Sequence, residues 1–217
     1  QLQQQGKIAP NTTLPQLYDV LERHEADMMR VFLDMKPADY GIHMPFTGLS
    51  DVPDDLQAIQ TDLTTEFAKR QSTSYMPKPV AEAFLEMRQA YHRDHPARIL
   101  CVESAYRSPA YQLVTLVYYL VNVHDYNLPA TLTQVALPGY SWHCSADKTA
   151  VDIANIDGQP TDEAPQEFSQ SLEYAWLCEH GNDFGFYETY ARDNPTGIMW
   201  EPWHWQYLGR DADQTNL

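Results

Sequence analysis

Apolar residues recur along this chain with two periods, three to four residues in some stretches and two in others. From Leu14 the period is helical, with Leu17, Leu21, Met28, Val31, Phe32 and Met35 forming one stripe. Thr13 is suited to cap that helix, and Pro37 lies just beyond its end. Residues 1–13 are polar and Gln-rich and read as a frayed lead-in. Pro37 to Pro53 reads as a loop, and Asp54 to Arg70 as a second helix. A Ser/Thr stretch at Gln71–Tyr75 marks a soft boundary. The expected organisation is a helical N-terminal extension, residues 1–72, and a second domain, residues 73–217.

The second part alternates helical and extended signals. Pro79 to Arg93 reads as an amphipathic helix with Val80, Phe84, Met87 and Tyr91 on one face. Arg98 to Ser104 reads as a strand. Ser108-Pro109 is a cap followed by a first-turn proline, opening a helix that runs to about Asn122. Thr149 to Asn155 reads as a strand, and Ala164 to His180 as a helix ending at Gly181. Phe184 to Ala191 and Trp203 to Gly209 read as aromatic-rich strands. Helices and strands do not alternate regularly, so the expected class is α+β, a mostly antiparallel sheet flanked by helices.

With 217 residues, such a chain buries roughly 70% of its unfolded surface without disulfide support. Thirty acidic against 14 basic residues give a net charge of −16. That excludes a nucleic-acid protein, which needs a basic footprint, and argues against docking on an anionic membrane. The longest apolar stretch, Leu113 to Val123, is interrupted by Thr115 and Asn122 and is too short for the ~18 residues of a membrane span. The first residue is Gln1, so a removed leader or an anchor is expected ahead of it. Cys101, Cys144 and Cys178 allow at most one disulfide.

Chemistry is confined to few places. His24, His92, His95, His124 and His180 stand alone in polar contexts. His143 instead follows Pro138-Gly139-Tyr140-Ser141-Trp142, and His204 lies in Trp200-Glu201-Pro202-Trp203-His204-Trp205-Gln206-Tyr207. Asp152 sits in the strand Thr149-Ala150-Val151-Asp152-Ile153, where alternation points it away from Val151 and Ile153. A carboxylate in such a strand needs a partner or a metal. Two His and one Asp suit a three-ligand zinc site with an open fourth position, the catalytic pattern; structural sites are closed and cysteine-rich. Residue types alone leave an ion-paired structural cluster open as the alternative. Glu201, among tryptophans, is the candidate general base. Arg107 lies at a strand-to-helix turn in Ser104-Ala105-Tyr106-Arg107-Ser108, and beyond it only Lys148, Arg192 and Arg210 are basic. A guanidinium there can hold a carboxylate bidentately or form a surface ion pair.

Together these segments resemble the zinc D-alanyl-D-alanine carboxypeptidase family, in its VanY-like branch, whose peptidoglycan peptidases share a fold with the hedgehog signalling domain. The resemblance rests on Ser104-Ala105-Tyr106-Arg107-Ser108 with Tyr111-Gln112. It continues through Pro138-Gly139-Tyr140-Ser141-Trp142-His143 with Ala150-Val151-Asp152-Ile153, and Glu201-Pro202-Trp203-His204-Trp205-Gln206-Tyr207-Leu208-Gly209. Phe184-Gly185-Phe186 is similar to the strand ahead of the last block. The resemblance covers roughly Pro79 to Gly209. It implies a zinc ion on His143, Asp152 and His204, with Glu201 as catalytic base. It implies substrate contacts from Arg107, Gln112, Ser141 and Trp203, and stem peptides of peptidoglycan as substrate. Removal of a C-terminal D-alanine, by a D,D- or L,D-carboxypeptidase, is the implied reaction. The alternatives are an endopeptidase that cuts cross-links, for example to admit a secretion apparatus, and a non-catalytic wall-peptide binding module. The implied location is the periplasm or cell wall, with a possible envelope or secretion-machinery partner for the N-terminal extension.

One interval departs from the family pattern. Eight residues, Cys144 to Val151, separate His143 from Asp152, where the family has a shorter, glycine-containing stretch. A longer hairpin loop between two strands is the expectation, with Cys144 facing away from His143 along its strand. The other reading lets Cys144 or Asp147 compete for the metal or reshapes the cleft.

Overall fold

The computed structural model describes residues 8–49, 52–60, 73–156 and 165–212. In chain order the elements are α1 (Leu14–Asp19), α2 (Arg23–Arg30), β1 (Leu56–Gln60), β2 (Thr73–Pro77), α3 (Lys78–Asp94), β3 (Cys101–Ser104) and α4 (Pro109–Asn122). They continue with α5 (Leu128–Leu132), β4 (Ala150–Ala154), α6 (Pro165–Phe168), α7 (Leu172–His180), β5 (Phe186–Glu188) and β6 (His204–Tyr207). The chain divides into two compact units, each assembled from separate segments. One comprises Gln1–Val52, Arg107–Ser145 and Arg192–Met199, and the other Pro53–Tyr106, Ala146–Ala191 and Trp200–Leu217.

The sheet lies in the second of these units. Its strand order is β3-β4-β6-β5, and every pairing is antiparallel. Val102, Val151, Ile153, Phe186 and Trp205 from this sheet join Val80, Phe84, Met87 and Tyr91 of α3 in one core, with Trp176 and Leu177 of α7. The α3 face expected from periodicity is therefore the buried one. Each such side chain taken fully from water contributes about 1.5–3 kcal/mol. The α+β class with an antiparallel sheet is borne out. The segment expected as a helix from Asp54 is instead extended where it is described: Leu56–Gln60 pairs antiparallel with Thr73–Pro77. Ile59 enters the same core as Met76, so pairing and burial override a weak helical pattern. The remainder of that expectation, residues 61–70, lies outside the described residues, as do positions 71–72 of the expected boundary. The helix expected over Ala164–His180 is two helices, because Ser171 caps a new start by accepting the Tyr174 N–H at 3.1 Å.

The other unit is helical. Ile8, Leu17, Met29, Ala110 and Leu113 form its core, with Leu14, Leu21 and Phe32 packed against it. Thr13 caps α1 reciprocally with Gln16, at 3.4 Å and 2.8 Å. The long helix expected from Leu14 is broken. Val20 closes α1, and Glu22 opens α2 with its N–H on the Glu25 carboxylate at 2.8 Å. That restart shifts the helical phase: Met29 is buried, while Met28 and Val31 are exposed. Residues 8–13 are not frayed either. Ile8 and Pro10 are buried, and the Pro10 carbonyl accepts the Ser108 N–H at 2.7 Å. Pro37–Tyr40, expected as loop, forms a short 3₁₀ helix ended by Gly41 in the left-handed region. None of the three cysteines is in a disulfide.

One buried charge ties α7 to the segment before β3. Glu173 is fully buried; its carboxylate accepts the Arg98 Nε at 2.7 Å and the Tyr91 hydroxyl at 2.8 Å. Burial, and then Glu173, push the Tyr91 phenol well above the usual tyrosine range, so it remains a donor. Because its folded pKa is raised, this stabilisation is present below about pH 10 and lost at more alkaline pH. Arg98→Met leaves Glu173 without its cation, and we expect a loss of about 3 kcal/mol in urea unfolding.

Candidate metal and catalytic site

Strand pairing sets the first two candidate side chains. Asp152 of β4 lies directly opposite His204 of β6, with Val151 opposite Trp205. Directly opposed residues share a face of the sheet with their Cβ atoms roughly 5 Å apart. Val151 and Ile153 go into the core, as the alternation required, and Asp152 takes the other face. Ser104 of β3 pairs with Asp152 after an irregularity that follows Val102. Asp152 is 9% exposed in a strand buried throughout.

A turn places Glu201. Its carbonyl accepts the His204 N–H at 3.1 Å, with Pro202 at the position where proline presets the turn. The Glu201 N–H is fixed on Tyr190 O at 3.0 Å, and Trp205 Nε1 donates to Pro202 O at 3.0 Å. Glu201 is 7% exposed and His204 3%. Trp203 is equally enclosed: it packs within the core, and its carbonyl accepts the Ile153 N–H at 2.9 Å. The ring of Tyr190 lies 4.5 Å from that of His204. No motif pointed to Tyr190, and its sequence context, Glu188-Thr189-Tyr190-Ala191, carries no signal for it.

His143 sits on a 3₁₀ turn, Trp142–Cys144, and not on a strand. A β-turn leads into it: Tyr140 N–H donates to Leu137 O at 3.0 Å, with Pro138 and then Gly139, at φ +82°, as its central residues. These are the residues that a type II turn demands. The Arg107 N–H donates to His143 O at 3.0 Å, and Ser108 caps α4 through the Tyr111 N–H at 3.1 Å. Arg107 is half-buried, while Ser141 and His143 are buried. Gln112 is buried too, and its Nε2 donates to Ala136 O at 2.8 Å. The stretch from Cys144 to Asp152 is a turn and a bend entering β4, so the expected two-strand hairpin is corrected. Burial pushes the Cys144 thiol up to about 12, with Arg107 pulling weakly the other way. A buried thiol held protonated is a poor metal ligand. Asp147 is exposed.

The donor atoms of His143, Asp152 and His204 lie within 4.8 Å of one another. Small side-chain rotations bring such atoms onto one ion at ~2.0–2.2 Å. Two imidazoles and one carboxylate, almost wholly enclosed, are a donor set that zinc accepts with a coordination position to spare. Among the described residues no other group of His, Cys, Asp or Glu is placed in this way. His92 and His124 are used locally, on Arg98 O and Gln134 Oε1.

Fold and cluster together define an α+β protein in which Asp152 and His204 of the sheet and His143 of a 3₁₀ turn form a donor set suited to a divalent metal. The chain belongs to the VanY D-alanyl-D-alanine carboxypeptidase family, which residues 73–210 match. That span contains every residue of the cluster together with Arg107, Gln112, Ser141, Glu201 and Trp203. A D-alanyl-D-alanine carboxypeptidase of Enterococcus faecalis (strain ATCC 700802 / V583) is 39% identical over 82 residues, 37% of this chain. The chain spans only about a quarter of that relative, 27% of its length. Among solved structures, the LdcB LD-carboxypeptidase superposes with a TM-score of 0.62 at 24% identity, over 79% of this chain and 76% of that one. A zinc(II) complex of the D,D-pentapeptidase VanY from a VanB-type resistance cassette gives 0.55 at 24%, over 80% and 90%. These two likenesses are of fold.

Removing donors separates the cluster from its neighbour. Elemental analysis of zinc-loaded protein is expected to give about one zinc per chain. His143→Ala, Asp152→Ala and His204→Ala are each expected to lower affinity so far that dialysis strips the metal, while Glu201→Gln retains it.

Proposed function

We propose that this protein is a zinc-dependent peptidoglycan peptidase that removes the C-terminal D-alanine of stem peptides, as a D,D- or L,D-carboxypeptidase. The observation that carries this reading is the convergence of His143, Asp152 and His204 within the family-matched segment, with buried Glu201 three residues before His204. Zinc, when bound, supplies Lewis acidity that lowers the pKa of water and polarises a carbonyl.

This chain's own residues do the rest. Glu201 takes a proton from the attacking water and returns it to the leaving amine, and the turn that fixes it to His204 limits its reach. Arg107, at the strand-to-helix turn, grips the terminal carboxylate of the substrate. Ser141, next to the His143 turn, contacts the peptide near the scissile bond. Gln112 holds the segment before Pro138 through Ala136, and Trp203 walls the base from the core side. The substrate places the protein outside the cytoplasm. Among the described residues, no helix is long and apolar enough to cross a membrane.

Mass spectrometry of muropeptides incubated with zinc-loaded protein and with a chelated control tests the reading. Monomer stems are expected to lose one alanine only when metal is present. Cross-linked dimers falling to untrimmed monomers would instead make it an endopeptidase, and binding without cleavage would make it a wall-peptide module. Two variants test the assigned roles. Glu201→Gln is expected to lower kcat by about 10²–10⁴-fold. Arg107→Ala is expected to lower kcat/KM by about 10–100-fold on a free carboxylate, and to leave turnover of a C-terminally amidated analogue unchanged.

A further inference from the structure

We propose that Thr47, which precedes the family-matched segment, is a positioning residue for His143. The N-terminal segment then sets one of the three metal donors. This inference rests on the reading of the His143, Asp152 and His204 cluster as a metal site.

The Gly139 carbonyl accepts two hydrogen bonds from one residue, the Thr47 N–H at 2.6 Å and the Thr47 hydroxyl at 2.9 Å. The approach is close. A Cβ on Gly139 would lie 2.6 Å from the Phe46 ring and 3.1 Å from Gly48 O, and its φ of +82° is one that side chains strain to adopt. The Phe46 ring also meets Tyr140 edge-on at 5.1 Å. Segment 46–49 therefore clamps the turn from both its carbonyl side and its ring side.

Little slack separates that clamp from the donor. Tyr140 N–H closes its turn on Leu137 O, and then Cys144 N–H donates to Ser141 O at 3.0 Å and Ser145 N–H to Trp142 O at 3.2 Å. His143 lies inside this short run of fixed peptides. Its own carbonyl is held by the Arg107 N–H, and the next residue, Ser108, is held by Pro10 O at 2.7 Å and Thr12 O at 2.5 Å. N-terminal residues thus reach the His143 peptide by two routes, through Gly139 and through Ser108. The second route anchors one flank of the turn, and Thr47 anchors the other. Loss of the Thr47 hydroxyl leaves the backbone bond but frees the carbonyl to swing, and the imidazole swings with it.

The test compares zinc dissociation constants, from competition with a chromophoric chelator, and visible spectra of the cobalt(II)-substituted full chain. Thr47→Val is expected to weaken zinc by about tenfold, the low end of the effect of supporting groups on metal ligands, and to shift the cobalt bands. Thr47→Ser, which keeps the hydroxyl, is expected to restore both. Leu21→Ala controls for general loosening of the helical core: it is expected to lower the melting temperature and leave the zinc constant unchanged. An unchanged constant in Thr47→Val, or an equal weakening in Leu21→Ala, overturns the proposal. Wild-type zinc binding insensitive to His143→Ala overturns both the cluster reading and the proposal. A wild type that binds zinc through the cluster but cleaves no muropeptide overturns only the proposed function. The Thr47 comparison still decides the clamp.

Discussion

An aspartate in the middle of a strand that water barely reaches governs this structure. Ionised and alone, Asp152 would cost several kcal/mol, and its neighbours Val151 and Ile153 belong to the core. The chain resolves this by pairing. His204 stands opposite Asp152, and His143 brings a second imidazole to the same few ångströms. Two imidazoles and a carboxylate so placed are a donor set that a divalent cation accepts. A group that is costly for folding is thereby suited to holding a metal.

The turns that shape the candidate site are legible in the sequence wherever their geometry is local. Glu201-Pro202-Trp203-His204 and Leu137-Pro138-Gly139-Tyr140 encode turns by residue type, and the turns found are those that proline and glycine prescribe. Ser108-Pro109 likewise marks the start of α4, and the period of α3 gives its buried face. Non-local features escaped. Leu56–Gln60 is a strand because β2 pairs with it and Ile59 finds the core, information that the segment itself lacks. Met28 lies on the periodic stripe but Met29 is the buried residue, because a cap at Glu22 restarts the helix and a shift of one residue turns a helix face by 100°. His143 lies on a 3₁₀ turn, too short to leave a periodicity. The packing of Tyr190 on His204, and that of Thr47 on Gly139, joins distant positions that no spacing rule connects.

The aromatic richness around Glu201 divides on inspection into two tasks. Trp203 and Trp205 belong to the core, and their role is to fill it and fix the turn through Pro202 O and the Ile153 N–H. Tyr190 instead lies against an imidazole of the cluster. A run of aromatic residues in sequence is therefore no single wall. Strand alternation and the preceding turn decide which rings reach the His/Asp/His cluster and which hold the sheet.

Register carries the remaining specificity. Because side chains alternate with a period of two, a one-residue slip of β6 against β4 would put Trp203 or Trp205 opposite Asp152 in place of His204. It would also move Glu201, which is tied to His204 by the turn between them. The pairing of His204 with Asp152 and the placement of Glu201 would be lost together. The slip is resisted on both sides: the Trp205 ring is buried in the core, and Gln206 Nε2 and Tyr207 N–H bond to Lys148 O and Thr149 O, each at 3.2 Å. Bulky apolar residues flanking His204 thus do more than enclose it. Burying a tryptophan on the cluster side would strand its indole away from the core and leave the carboxylate bare, so the core that stabilises the sheet also enforces the alignment of the site.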